Sequence, residues 1–184
     1  RDRQRGALSA VIRVITFELP EPNEIGIPDP VMSFYNLSKG LVLVTGPAGS
    51  GKSTTLACLV DKINHSMEKH IITLEDPIEY LHRHDKSIVS QREINVDTES
   101  YVNALRASLR QSPDVILLGE MRDYETTDDA ASTKKTARGK RKSITCFFSF
   151  LRFMPISSYR SITVMSGRIL APAEITICVF FTTV

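Results

Sequence analysis

The sequence has no tryptophan and only three cysteines, Cys58, Cys146 and Cys178, among 184 residues. No two cysteines stand at C-x-x-C spacing, which excludes a paired-thiol redox motif and a cysteine-based zinc site. Such usage suits a reducing compartment, and Cys58, inside an apolar stretch, reads as a small buried thiol. No apolar run is long enough to cross a bilayer, so no transmembrane segment is expected. The charged start Arg1-Asp2-Arg3-Gln4-Arg5 is not followed by the apolar core of a signal peptide. Histidine is confined to His65, His70, His82 and His84. His82 and His84 would share one face of a strand but lack a third ligand of fitting type, so no metal site is expected there. His70 reads as a surface or capping residue, Tyr80 and Tyr101 as packing residues.

What is present is enough for one good core: 42% of the residues are hydrophobic. The small net charge of +2 conceals an imbalance. Residues 1–127 carry 14 Lys/Arg against 18 Asp/Glu, whereas residues 128–184 carry 9 against 3. The composition changes abruptly after Thr127, and the two parts are read separately.

In the first part, Ala7 to Phe17 is β-rich and reads as one strand. Pro20, Pro22, Pro28 and Pro30 break regular structure over 18–31, as a linker would. A short helix is expected over Val31–Lys39, and strands over 41–45, 71–74, 87–90 and 115–118. A helix follows the first of these strands to about Met67. Tyr101, Val102, Leu105 and Leu109 give a helical apolar pattern over Thr98–Gln111, with Thr98 or Asp97 as its cap. Strands alternating with helices predict an α/β fold on a parallel sheet.

Between the first strand and its helix lies Gly46-Pro47-Ala48-Gly49-Ser50-Gly51-Lys52-Ser53, a complete G-x-x-x-x-G-K-[ST] sequence. Strand, glycine loop and helix together make this a phosphate-binding loop. Gly46, Gly49 and Gly51 let the backbone curl so that successive N–H groups converge on phosphate oxygens. The helix beginning near Lys52 adds the positive end of its dipole. Lys52 is placed to reach the β- and γ-phosphates, the Ser53 hydroxyl to bind Mg²⁺, and Thr54 to complete the loop. The expected ligands are ATP and Mg²⁺.

Ligands of open parallel sheets sit at the carboxyl ends of the strands. Two further strands end in acid: Glu75-Asp76-Pro77-Ile78-Glu79 and Gly119-Glu120. Glu120 fits a Mg²⁺-associated (Walker B) glutamate, with Asp114 opening the same strand. Glu79 or Glu75 would orient the attacking water or take its proton.

G-P-A-G-S-G-K-S-T-T-L, I-T-L-E-D-P-I-E-Y and S-P-D-V-I-L-L-G-E-M-R-D, in this order, resemble the secretion-ATPase superfamily. Within it the chain is most similar to the type IV pilus retraction (twitching-motility, PilT-type) ATPases over residues 3–127. Met121 after Gly119-Glu120, the run Ser90-Gln91-Arg92-Glu93 and Arg5-Gly6 favour that branch over pilus assembly or type II secretion. The resemblance implies a RecA-like ATPase core over 39–127, a linker and short helix over 18–38, and the last strand of a PAS-like N-terminal domain over 1–17. It implies Glu79 as general base and Glu120 as the Walker B acid. It also implies a homo-hexamer at the inner face of the cytoplasmic membrane, working on an inner-membrane pilus platform protein, with no role for nucleic acid. The alternatives are an assembly or secretion ATPase of the same superfamily and a non-catalytic nucleotide-binding module.

Residues 128–184 depart from that pattern. The histidine-bearing segment expected after Thr127 is missing, and Lys134–Lys142 is a basic run instead. This part is expected to be foreign to the core: a shifted reading frame or mis-joined end, or a real but disordered appendage. Its apolar runs, Ile144–Pro155 and Ile169–Phe181, are β-prone without amphipathic alternation.

Overall fold

The computed structural model describes residues 2–4, 7–9, 12, 14–15, 17–38, 40–121, 145–150 and 176–180. At the start, β1 (Asp2–Gln4) and β2 (Ala7–Ser9) form an antiparallel pair. The single strand expected over Ala7–Phe17 is therefore corrected: among its described residues, Ala7–Ser9 pair and Ile12, Val14, Ile15 and Phe17 do not. Farther on, Ile12 and Val14 are 85% and 88% exposed, so these two side chains are not core.

The proline-rich stretch packs rather than dangles. A turn at Pro22–Gly26, closed by Ile27 N–H donating to the Pro22 carbonyl, aims Ile27 and Val31 into the core. Helix α1 (Asp29–Met32) starts two residues before the expected helix because Pro30 is tolerated in a first turn, where its missing N–H costs nothing. A 3₁₀ turn over Ser33–Asn36 continues it until Leu37 turns extended.

The main sheet takes β3 (Gly40–Thr45), β4 (His70–Glu75), β5 (Ile88–Glu93), β6 (Val115–Met121), β7 (Thr145–Phe150) and β8 (Thr176–Phe180). Their spatial order is β5-β4-β6-β7-β3-β8. All neighbours are parallel except β8, which runs antiparallel on β3. Two segments of the part expected to be foreign are thus strands of the sheet, with β7 lying between the phosphate-loop strand and β6. The change at Thr127 marks a break in composition, not the end of the sheet. The basic run Lys134–Lys142 lies outside the described residues.

Strand alternation sorts the core into two layers. Val42, Val44, Ile71, Val115 and Leu117 pack beneath helix α2 (Lys52–Ser66). Ile72, Leu74, Ile116 and Leu118 point to the other face, against α3 (Tyr101–Ser108). On α2, Leu56, Leu59, Val60 and Ile63 recur at helical spacing and are all buried. Each such side chain contributes on the order of 1.5–3 kcal/mol of burial. The cap of α3 is Ser100, whose Oγ accepts from the Asn103 N–H at 3.2 Å. The expected caps are displaced because Asp97 instead accepts from the Glu93 N–H, at 2.8 Å, and Thr98 bridges to Ile94. The architecture is an α/β sandwich on a parallel sheet, as the residues predict.

Candidate functional site

The carboxyl ends of β3, β4 and β6 meet at one cleft of about 230 Å³. From β3 comes the phosphate loop, Gly46–Ser53. Gly49 and Gly51 adopt φ of +76° and +91°, a left-handed backbone open to glycine and strained for other residues. The Ser50 N–H donates to the Pro47 carbonyl at 3.3 Å, tightening the turn. Pro47, Ala48 and Gly49 are exposed on its outer side, while the Ser50 hydroxyl is buried with no hydrogen-bond partner.

Lys52 opens α2 and is 8% exposed. Its Nζ donates to the carbonyls of Gly46 at 3.0 Å and Pro47 at 2.8 Å, so the side chain folds back over its own loop. Burial lowers its pKa, and the opposing charge of Glu79 partly restores it. Ser53 lines the cleft beside it. Thr54 points elsewhere: its hydroxyl hydrogen-bonds the Tyr80 hydroxyl at 3.2 Å, tying α2 to the facing loop.

That facing loop leaves β4 at Glu75 and reaches the cleft with Asp76, Pro77, Glu79 and Tyr80. Its two candidate glutamates differ in setting. Glu79 is exposed and opposite Lys52. Glu75 is partly buried; desolvation raises its pKa, against hydrogen bonds from Thr73 and Gln91, the charge of His82 and the Glu79 N–H. Glu75 Oε1 accepts from the Thr73 hydroxyl at 2.6 Å and from Gln91 Nε2 at 3.3 Å.

From β6 come Gly119 and Glu120, which lie inside the strand and not after it. The register pairs Leu74 with Leu118, which sets Gly119 against Glu75. A Cβ on Gly119 would lie 3.2 Å from the Glu75 Cα, so any other residue there would push the β4 backbone away by a few tenths of an ångström. Glu120 is fixed by its backbone at the carboxyl end of β6; its side chain is outside the described detail. Asp114 is at the opposite end of that strand, exchanging hydrogen bonds with the His70 backbone, 2.9 Å to its Oδ2 and 2.8 Å from its N–H. It ties strands together, away from the cleft.

Sequence reasoning missed three residues here. Tyr80, read as packing, lines the cleft and meets Thr54. His82 also lines it, with its side chain 4% exposed and Nδ1 unbonded, 3.9 Å from Asp61 Oδ1. Gln91 reaches Glu75 because β4 and β5 pair Thr73 with Gln91, a register that no local motif encodes. His84 serves the backbone instead, its Nδ1 accepting from the Val89 N–H at 3.0 Å.

The donor set fits a triphosphate: curled glycine backbone, a buried lysine, a helix start and a hydroxyl at the rim of one cleft. Comparison with known proteins agrees. The family model described as "Type II/IV secretion system protein" matches residues 9–139. The type IV pilus retraction ATPase PilT of Pseudomonas aeruginosa is 46% identical over 135 residues, 73% of this chain and 39% of its own length. The type II secretion system protein E of Aeromonas hydrophila is 47% identical over 98 residues, 53% of this chain and 19% of its own. A crystal structure of the pilus retraction motor PilT with bound ADP superposes with a TM-score of 0.72 at 35% identity, covering 98% of this chain and 58% of that one. The chain thus spans well under half the length of these curated relatives. It belongs to the type II/IV secretion system protein family.

Proposed function

We propose that the chain is the nucleotide-binding core of a type IV pilus retraction ATPase, binding Mg·ATP and hydrolysing its terminal phosphate. The observation that carries this reading is the placement of Lys52 and Glu79 on two loops facing each other across one cleft. The Pseudomonas relative matches a larger share of the chain, 73%, than the type II secretion relative, 53%, which favours the retraction branch.

In this reading the backbone of residues 46–51 and Lys52 hold the phosphates, and Ser53 and Glu120 hold Mg²⁺. Bound Mg²⁺ supplies charge neutralisation at the phosphates. Glu79, open to solvent at the cleft, orients the attacking water and takes its proton. Glu75 lies deeper, where its Oε1 already accepts from the Thr73 hydroxyl and the Gln91 amide, so it anchors the loop and leaves the water to Glu79. Residues 18–38 lead into the ATPase core, which takes in residues 40–121 together with β7 and β8. Assembly into a homo-hexamer, peripheral at the inner membrane face and acting on a platform protein, belongs to the same proposal. No helix among the described residues is long and apolar enough to cross a membrane.

The test separates binding from chemistry. Glu79→Gln is expected to keep ATP and lose turnover by roughly two or more orders of magnitude. Glu120→Gln is expected to lower turnover with a steeper dependence on Mg²⁺ concentration. Near-normal phosphate release from both variants would refute these roles; ATP held without release by the unsubstituted chain would mark a non-catalytic binder.

A further inference from the structure

We propose that Gln91, on β5, is the positioning residue for the acidic loop: its single side-chain amide ties down Glu75, Tyr80 and His82 and so holds Glu79 at the cleft. The inference rests on the hydrolytic reading above and adds to it a residue outside both loops.

Three bonds define the strap. Gln91 Nε2 donates to the Tyr80 carbonyl at 2.9 Å and to Glu75 Oε1 at 3.3 Å, while its Oε1 accepts from the His82 N–H at 2.8 Å. The amide orientation is dictated by its partners, since a carbonyl only accepts and a backbone N–H only donates. Both donors and the acceptor are therefore spent on one segment, two on its backbone on the far side of Glu79 and one on the carboxylate before it. Residues two apart on a strand share a face. Accordingly Glu93 adds a second tie from the same edge of the sheet, its Oε2 accepting from the Ile78 N–H at 3.1 Å. The loop has no helix or strand of its own between Glu75 and Ile88, so these side chains replace a ladder.

Gln91 touches the acidic loop and not the phosphate loop, so its loss should act on turnover and spare binding. Gln91→Leu keeps the volume and removes all three bonds; Gln91→Glu keeps the acceptor for His82 and removes both donors. Amide exchange at His82, ATP titration and phosphate release are measured on the full chain. Gln91→Leu is expected to exchange the His82 amide about tenfold faster, to bind ATP within about threefold of the parent, and to release phosphate at least about tenfold more slowly. Gln91→Glu is expected to keep His82 protected while losing turnover similarly. Turnover within twofold of the parent, or affinity falling in step with turnover, would overturn the proposal. A parent chain that binds ATP but releases no phosphate would refute the hydrolytic reading. The strap is then judged by exchange alone: faster exchange in Gln91→Leu supports it, and parental protection refutes it.

Discussion

The two loops that face each other across the cleft are built in opposite ways. The phosphate loop closes on itself. Lys52 reaches back six and five residues to Gly46 and Pro47, Thr55 four to Gly51, and Ser50 three to Pro47. The acidic loop is held from afar. Its partners lie 16, 11 and 9 residues away at Gln91, 15 away at Glu93 and 26 away at Thr54. A loop of the first kind is specified by its own residues and travels as a motif. A loop of the second kind exists only once the sheet has brought β5 beside β4.

The largest expected effect breaks the self-contained loop. Lys52→Ala removes a buried cation from the phosphates and from two loop carbonyls at once. Mg·ATP affinity should fall by about 2–4 kcal/mol, read by isothermal titration. Equal affinity in parent and variant would end the phosphate-loop assignment. Stability should move far less than affinity, because Lys52 is held only by its own loop.

The remote loop breaks elsewhere. Asn64, 1% exposed on α2, donates from Nδ2 to the Arg83 carbonyl at 2.7 Å and accepts at Oδ1 from the Asp85 N–H at 3.2 Å. Asn64→Ala strands both backbone groups and should cost about 2 kcal/mol of stability in a urea titration. ATP affinity should change by less than about threefold, the converse of Lys52→Ala. If affinity and stability fall together in both variants, the two loops form one cooperative unit and do not differ in kind.

The same contrast decides how much of the molecule was legible in the sequence. The phosphate loop, the strands around 41–45, 71–74 and 115–118, and the helix after the loop carry their signals locally: glycines, apolar runs and helical spacing. Glu75 and Glu79 were found for the same reason, as acids closing an apolar run. Gln91 and Tyr80 were not, because their meaning depends on register and on a contact across the cleft. Strand β7 is legible as a β-prone segment, but its place in the sheet is not, for a different reason. A parallel strand with neighbours on both sides is a continuous apolar run and shows no alternation. Thr145-Cys146-Phe147-Phe148-Ser149-Phe150 reads as β-prone but foreign to the core beside a basic run, yet it pairs with β3 and β6. The cap of α3 shows the smaller error: Thr98, Asp97 and Ser100 are all good caps, and backbone geometry chose among them.

The smallest expected effect is a slope, and it tests whether Glu75 is held desolvated within the loop, unlike the exposed Glu79. Burial lifts the Glu75 carboxyl above its ordinary value of 4.5, so the folded chain holds a proton that the unfolded chain releases sooner. Its contribution to stability is complete below pH 4.5 and is lost as pH rises through the higher folded value. Glutamine cannot ionise, so Glu75→Gln has nothing to lose over that window. Thermal melts at a series of pH values should therefore show the parent losing ground to Glu75→Gln as pH climbs above 4.5. A parallel pair of stability curves would show that Glu75 titrates alike in both states, with Thr73 and Gln91 fully offsetting its burial. Burial would then not set Glu75 apart, and the division of roles between it and Glu79 would have to be drawn from turnover alone.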